Sequence, residues 1–228
     1  MPMHSNPSNR TNKRPADSPS SGASRRTQQM RSQESRRKLM EATIEVLLER
    51  GYAGLTTAQV DERAGVSSGA RVHHYRSKLD LVVAAAEFIY ERAAELGQHR
   101  AEAASRSAEP IRKFVDDCLT IYFDWPFKAS VDLVLVARTD PEMMRRIHPV
   151  LDGFHRKMRQ TWLDALIAAG YEKKQAETDL RLTLNLIRGM ALNNIWESDA
   201  CEYRKLLDEW CTRLAGRHMS KTGNPHKL

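Results

Sequence analysis

LTTAQVDERAGVSSGARVHHYRSKLDL, residues 55–81, decides how this chain is read. Thr56 stands three residues before Gln59, a capping-box spacing, so a short helix starts there. Gly65 stops it and supplies the backbone freedom of a sharp turn. Ser67 is placed to cap a second short helix, and Val66 is the small apolar residue that plugs the angle between the two. Ser77, with Asp80 at the capping-box position, opens a longer helix. Two short helices about a tight Ala64-Gly65-Val66-Ser67 turn form a helix-turn-helix, whose second helix lies in the major groove of DNA.

Outward from this block the pattern stays helical. Upstream, from Ser35, the residues Met40, Ile44, Leu47, Leu48 and Gly51 fall on one helical face. Downstream, the helix opened at Ser77 runs towards residue 100, with Gly97 a point where it bends or ends. Apolar-periodic segments follow at roughly 109–125, 127–139, 141–147, 149–169, 174–198 and 202–217. Pro110, Pro126, Pro141 and Pro149 sit at or near helix starts, where a missing N–H costs least. No strand alternation, hairpin signal or repeat is present. The fold expected is all-α, with an N-terminal three-helix helix-turn-helix domain and a C-terminal helical domain.

The chain has 228 residues, 36 Lys+Arg against 29 Asp+Glu, and a formal charge of +7. All of that excess lies in residues 1–38, where nine basic residues face only Asp17 and Glu34; the remainder balances at 27 against 27. An end-loaded excess points to an arm that meets a polyanion. Residues 1–34 have no hydrophobic period and read as a disordered basic tail, and residues 219–228 as a second one. A solvated spacer, or a start placed upstream of the true one near Met30, are the alternatives for the first. No window approaches ~18 uninterrupted apolar residues, so no membrane span is expected, and no secretory signal is visible. Cys118, Cys201 and Cys211 lack metal-type spacing and suit a reducing, cytoplasmic compartment.

From Ser35 to Leu81 the chain resembles the tetracycline-repressor (TetR/AcrR) family. The resemblance is carried by Glu49-Arg50-Gly51-Tyr52, Thr56-Thr57, Ala64-Gly65-Val66-Ser67, Gly69 and His73-His74-Tyr75-Arg76-Ser77-Lys78. Three positions depart from the family pattern: Asp61 replaces a small apolar residue, Val72 a frequent tyrosine that touches the DNA backbone, and Tyr75 a phenylalanine. The resemblance implies a helix-turn-helix unit over 35–81 and a ligand-binding and dimerisation domain over 82–218. The partners implied are double-stranded operator DNA, a second copy of the chain and an unidentified small-molecule effector.

Arg71, on the reading helix, is the candidate for a bidentate contact to guanine, with an ion pair to an acid such as Glu62 as the alternative. Ser67, Ser68, Gly69 and Ala70 stand at the helix start that enters the groove first. Thr56, Thr57, His73, His74 and Lys78 are candidates for phosphate contacts, and Arg36 and Arg37 add backbone charge. Val60, Val66, Val72, Tyr75 and Leu81 read as core. Tyr122, Trp125, Phe127 and Trp162 are cavity candidates or plain core, and Arg138 and His155 are polar groups for orienting a ligand or for pairing helices. Leu180, Leu184, Ile187, Ala191 and Ile195 make an apolar face that is either core or dimer seam, the seam preferred because one short reading helix contacts too few bases.

No nucleophile, base and acid spacing and no phosphate-cradling loop points to catalysis. His148 and His155 are seven apart with no third ligand, so neither a metal nor a cofactor is expected. The reading is a homodimeric, ligand-released repressor on a near-palindromic operator. Its rivals are an activator on the same motif, and an all-α carrier or enzyme with an incidental basic front end.

Overall fold

A computed structural model of the chain describes residues 21–197 and 200–222. Among them are nine helices and no strand: α1 (Ser21–Gly54), α2 (Thr57–Ala64), α3 (Ser68–His74), α4 (Lys78–Ala104), α5 (Pro110–Tyr122), α6 (Trp125–Ala137), α7 (Pro141–Ala168), α8 (Lys173–Asn193) and α9 (Ala200–Thr222). The expected caps are present. Thr56 Oγ1 accepts the Gln59 N–H at 3.3 Å while Gln59 Oε1 accepts the Thr56 N–H at 3.0 Å. Ser67 Oγ accepts the Ala70 N–H, and Ser77 and Asp80 cap α4 reciprocally. Gly65 adopts φ 61°, ψ 35°, the left-handed conformation that the interhelical turn requires.

Besides α8, which ends at Asn193 rather than near residue 198, three boundaries differ from expectation. Helix α1 begins at Ser21, so residues 21–34 continue the first helix, whereas the rest of the expected tail, residues 1–20, lies outside the described residues. The last proline before it is Pro19, and beyond that the composition favours helix (Arg, Gln, Met, Ala) although no apolar face is needed. The half of α1 that buries Leu39, Met40, Val46 and Leu47 carries the cost of nucleation. Glu34 and Arg37 (2.8 Å), and Arg37 and Glu41 (2.7 Å), bridge successive turns. Secondly, α7 is continuous through Pro149; that residue is exposed, so the carbonyl it leaves without a partner faces water. Thirdly, α9 runs to Thr222, into the expected second tail, of which residues 223–228 lie outside the described residues.

Gly51 interrupts α1 with φ 64°, ψ 177°. The Tyr52 N–H that follows donates to Asp132 Oδ2 of α6 at 2.8 Å, and a Cβ at position 51 would lie 3.2 Å from that same oxygen. Both the conformation and the close approach call for glycine.

Packing does not follow the 81/82 boundary read from the sequence. One core joins Leu39, Val46, Leu55 and Val60 to Leu81, Val82 and Ala86 of α4, Leu133 of α6 and Met143 and Ile147 of α7. Arg146 of α7 also reaches Asp80 at 2.7 Å. A second core gathers the far end of α4 (Ala94, Ala101, Ala104) with α5, the second half of α7, α8 and α9. Leu180, Leu184, Ile187 and Ala191 are buried inside this second core, so most of the face preferred as a dimer seam is intramolecular; only Ile195 is exposed. Trp162 is also core, fully buried against Phe114, with its indole N–H donating to buried Asp117 at 3.0 Å. Arg100 supplies the counter-charge to Asp117 at 2.6 Å. Cys118 and Cys211 are buried free thiols. Among the described residues no helix is long and apolar enough to cross a membrane.

Replacing Asp117 by Ala leaves the Trp162 N–H buried without an acceptor. The expected loss is about 1–3 kcal/mol, read as a lower midpoint of urea denaturation; an unchanged midpoint contradicts the role given to this carboxylate.

Candidate nucleic-acid interface and cavity

Helix α3 presents Ser68, Gly69, Ala70, Val72 and His73 to solvent. Arg71 points the other way. It is 6% exposed, and its Nε lies 2.8 Å from Asp61 Oδ1, within ion-pair distance although the N–H is not aligned as a hydrogen bond. Its Nη1 donates to the Tyr75 carbonyl at 3.0 Å and its Nη2 to Ser68 Oγ at 3.2 Å. The guanidinium is engaged in holding α3 onto α2, so in this geometry Arg71 does not offer its donors to a guanine. The acid is Asp61 rather than Glu62, and the departure from the family pattern at position 61 is the partner of this arginine. Val72 is 46% exposed and belongs to the outward face, not to the core. Its methyl groups suit contact with a thymine methyl.

The remaining candidates spread over the same side of the molecule. Thr56 and Ser67 spend their oxygens as caps, and Thr57, half-buried, opens α2. Lys78 is half-buried with Nζ 4.2 Å from the centre of the Tyr52 ring and 3.5 Å from the Ala53 carbonyl. Its ammonium fastens α4 to the end of α1. Burial lowers the pKa of His74, with the Arg36 charge and then His73 adding to the effect. The neutral imidazole accepts from Arg36 Nε at 3.5 Å. Arg37 is taken up by Glu34 and Glu41, whereas Arg36 is an exposed cation beside α3. A cleft of about 470 Å³ separates the early turns of α1 from α3, bringing Gln28 and Arg31 next to Ala70 and His73. The outward face of α3 thus holds no lysine or arginine of its own; nearby charge comes from α1.

Between α4, α5, α6, α7 and α8 lies a cavity of about 440 Å³, mostly apolar. Tyr122, Phe127 and His155 line it. Trp125 is half-buried outside the lining, Arg138 is exposed at the end of α6, and Trp162 is core. The lining also includes Tyr90, Ser130, Phe154 and Arg188. The Tyr122 hydroxyl accepts from Arg188 Nη2 at 2.9 Å and Nε at 3.2 Å, and Tyr90 is bonded to Ser130. Burial pushes the Tyr122 phenol up to about 12. Burial, with the Arg188 and Arg159 charges, pushes His155 down to about 4. Arg188 adjoins the buried Ile187 and Ala191 stripe of α8, a charge beside an apolar face that was visible in the sequence. Tyr90 and Phe154, on long helices, look like ordinary core. Among the described residues no group of three or more His, Cys, Asp or Glu is placed to hold a metal ion.

Replacing Arg71 alone by Met leaves Asp61 buried and uncompensated, and the expected cost is about 3–5 kcal/mol. The double replacement of Asp61 by Leu and Arg71 by Met is expected to restore most of that stability and to keep sequence-specific DNA binding. Loss of specificity in a double variant that is stably folded would return Arg71 to base reading.

The family model described as "Bacterial regulatory proteins, tetR family" matches residues 39–85. The HTH-type transcriptional regulator CymR of Pseudomonas putida is 34% identical over 182 residues, covering 80% of this chain and 90% of that protein. An uncharacterised HTH-type transcriptional regulator of Mycobacterium bovis is 28% identical over 171 residues, 73% of this chain and 86% of its own length. The crystal structure of a putative TetR-family regulator from Mesorhizobium loti superposes with a TM-score of 0.67 at 12% identity, covering 83% of this chain and 97% of that one. That likeness speaks for the fold alone. With the helix-turn-helix geometry and the long match to a curated regulator, the chain belongs to the TetR family and is a DNA-binding transcriptional regulator rather than an enzyme.

Proposed function

We propose that the chain is a ligand-responsive repressor that binds a near-palindromic operator as a homodimer and leaves it when a small molecule fills the cavity. Tyr90 carries this reading. It lines the cavity and sits on α4, the helix whose first turns pack against the helix-turn-helix unit. A ligand that reshapes the surroundings of Tyr90 moves α4, and with it the separation of two reading helices. It does so only as far as it binds the released arrangement more tightly than the DNA-bound one.

Base contacts in this account come from the outward residues of α3: Gly69, Ala70, Val72 and His73. Phosphate contacts come from Thr57, Ser68 and Arg36, with Arg31 added from the early turns of α1. Pairing is supported by an exposed stripe on α8. Leu182, Gly189 and Leu192 recur at helical spacing, with the two leucines 47% and 41% exposed, and Trp196, 65% exposed, follows in the turn just beyond the helix. Exposed apolar residues aligned in this way mark an interaction face, and Gly189 lets a second helix approach closely.

Selection of bound DNA from a random pool tests the proposal. The expected product is two related half-sites in inverted orientation, spaced by about one DNA turn (~34–36 Å) or a multiple of it. Replacing both Leu182 and Trp196 by Glu is expected to yield a folded monomer by sedimentation that no longer retains the full site. A selected pool without two-fold symmetry, or a double variant that still sediments as a dimer, contradicts it.

A further inference from the structure

The donors and acceptors that face the cavity do not balance. Arg188 Nε and Nη2 both donate to the Tyr122 hydroxyl oxygen, and the guanidinium stands 5.2 Å from the centre of the Tyr122 ring. A guanidinium carries five N–H groups and no acceptor. Among the described residues no carboxylate lies within ion-pair distance of Arg188, and the Tyr122 hydroxyl has no acceptor for its own proton. Tyr90 and Ser130 satisfy each other, with Ser130 passing its proton to the Pro126 carbonyl at 2.6 Å. No aspartate or glutamate is part of the lining. The rest of the wall is aromatic and aliphatic, with Phe154 against Tyr90 at 4.8 Å and Phe127 against Tyr122 at 5.3 Å between ring centres.

We propose that this cavity takes an amphipathic monoanion, an apolar body ending in one carboxylate, held by the Arg188 guanidinium and the Tyr122 hydroxyl. A carboxylate offers the acceptors that both donors lack, and a planar guanidinium meets it with paired N–H groups. One cation balances one negative charge. A phosphate dianion would leave a second charge uncompensated in a largely apolar space, which is costly. The His155 imidazole does not supply that second cation, because burial and the neighbouring arginines hold it neutral near pH 7. The apolar body has the rings of Phe127 and Phe154 to pack against. The inference rests on the effector reading above and names the chemistry of that same site.

Calorimetric titration of the full chain tests it, using octanoate and 4-phenylbutyrate, each paired with its alcohol, 1-octanol and 4-phenyl-1-butanol. At least one carboxylate is expected to bind about tenfold or more tighter than its alcohol, since a charge-assisted pair is stronger than a neutral one. Arg188→Met is expected to erase that preference while leaving alcohol affinity in place, which also shows that the variant is folded. Arg188→Lys is expected to keep part of the preference and Tyr122→Phe to reduce it, so the test stands if Arg188→Met fails to fold. Alcohols binding as tightly as the acids, neither acid binding at millimolar concentration, or a preference that survives Arg188→Met each overturns the proposal. Operator affinity measured in parallel separates the two readings. A carboxylate that binds through Arg188 without changing DNA affinity upholds the ligand chemistry and overturns the effector role.

Discussion

Helix α4 buries its first half in the core that holds the reading unit and its second half in the core beside the cavity. Everything the molecule is proposed to do depends on that division. Leu81, Val82 and Ala86 share a core with residues of α1, α2, α6 and the start of α7, whereas Ala101 and Ala104 share one with residues of α5, α8 and the second half of α7. Tyr90 lies between and touches both. Close-packed interiors resist continuous deformation, so in the proposed mechanism a change in the cavity wall is passed along a rigid helix rather than absorbed in a linker. Two polar joints reinforce the arrangement: Asp132 caps the broken end of α1 at Tyr52, and Arg146 holds the Asp80 carboxylate that also caps α4.

The reading helix is short and has little stability of its own. What holds it is behind it. Arg71 joins α3 to Asp61 of α2 and closes on the Tyr75 carbonyl, at the cost of desolvating two charges. The outward face of α3 is small and carries no lysine or arginine, being built from Ser68, Gly69, Ala70, Val72 and His73. In the proposed mode of binding, specificity from such a face depends on close approach and methyl contact more than on bidentate hydrogen bonds, with Arg31 and Arg36 on α1 adding sequence-independent attraction.

The helix-turn-helix was legible because its determinants are local. Thr56, Gly65, Ser67 and Ser77 act within three or four residues of themselves, and the structure has all of them in their expected places. The orientation of Arg71 was not legible, since a charged residue on a short helix reads as surface unless its partner on another helix is known. Val72 misleads for the opposite reason: an apolar residue reads as core even where the helix faces solvent. The polar start of α1 gives no periodicity to detect, and residues 28–34 bury no apolar stripe. Tyr122, Phe127 and His155 were found among the aromatic-rich segments, but Trp162 could not be told from them without Asp117, 45 residues earlier in the chain. The face of Leu180, Leu184, Ile187 and Ala191 reads equally as seam or core, since an apolar stripe carries no mark of which surface covers it; in the structure it is core.

Native-state hydrogen exchange across the first core tests the central claim most directly. If the reading unit shares its core with α6 and α7, amides near Leu47, Val60, Ala86, Leu133 and Ile147 will open in one cooperative step with a common free energy and denaturant dependence. If residues 39–75 open in a separate step while Leu133 and Ile147 stay protected, the reading unit is an independent domain. The coupling through α4 would then be contradicted.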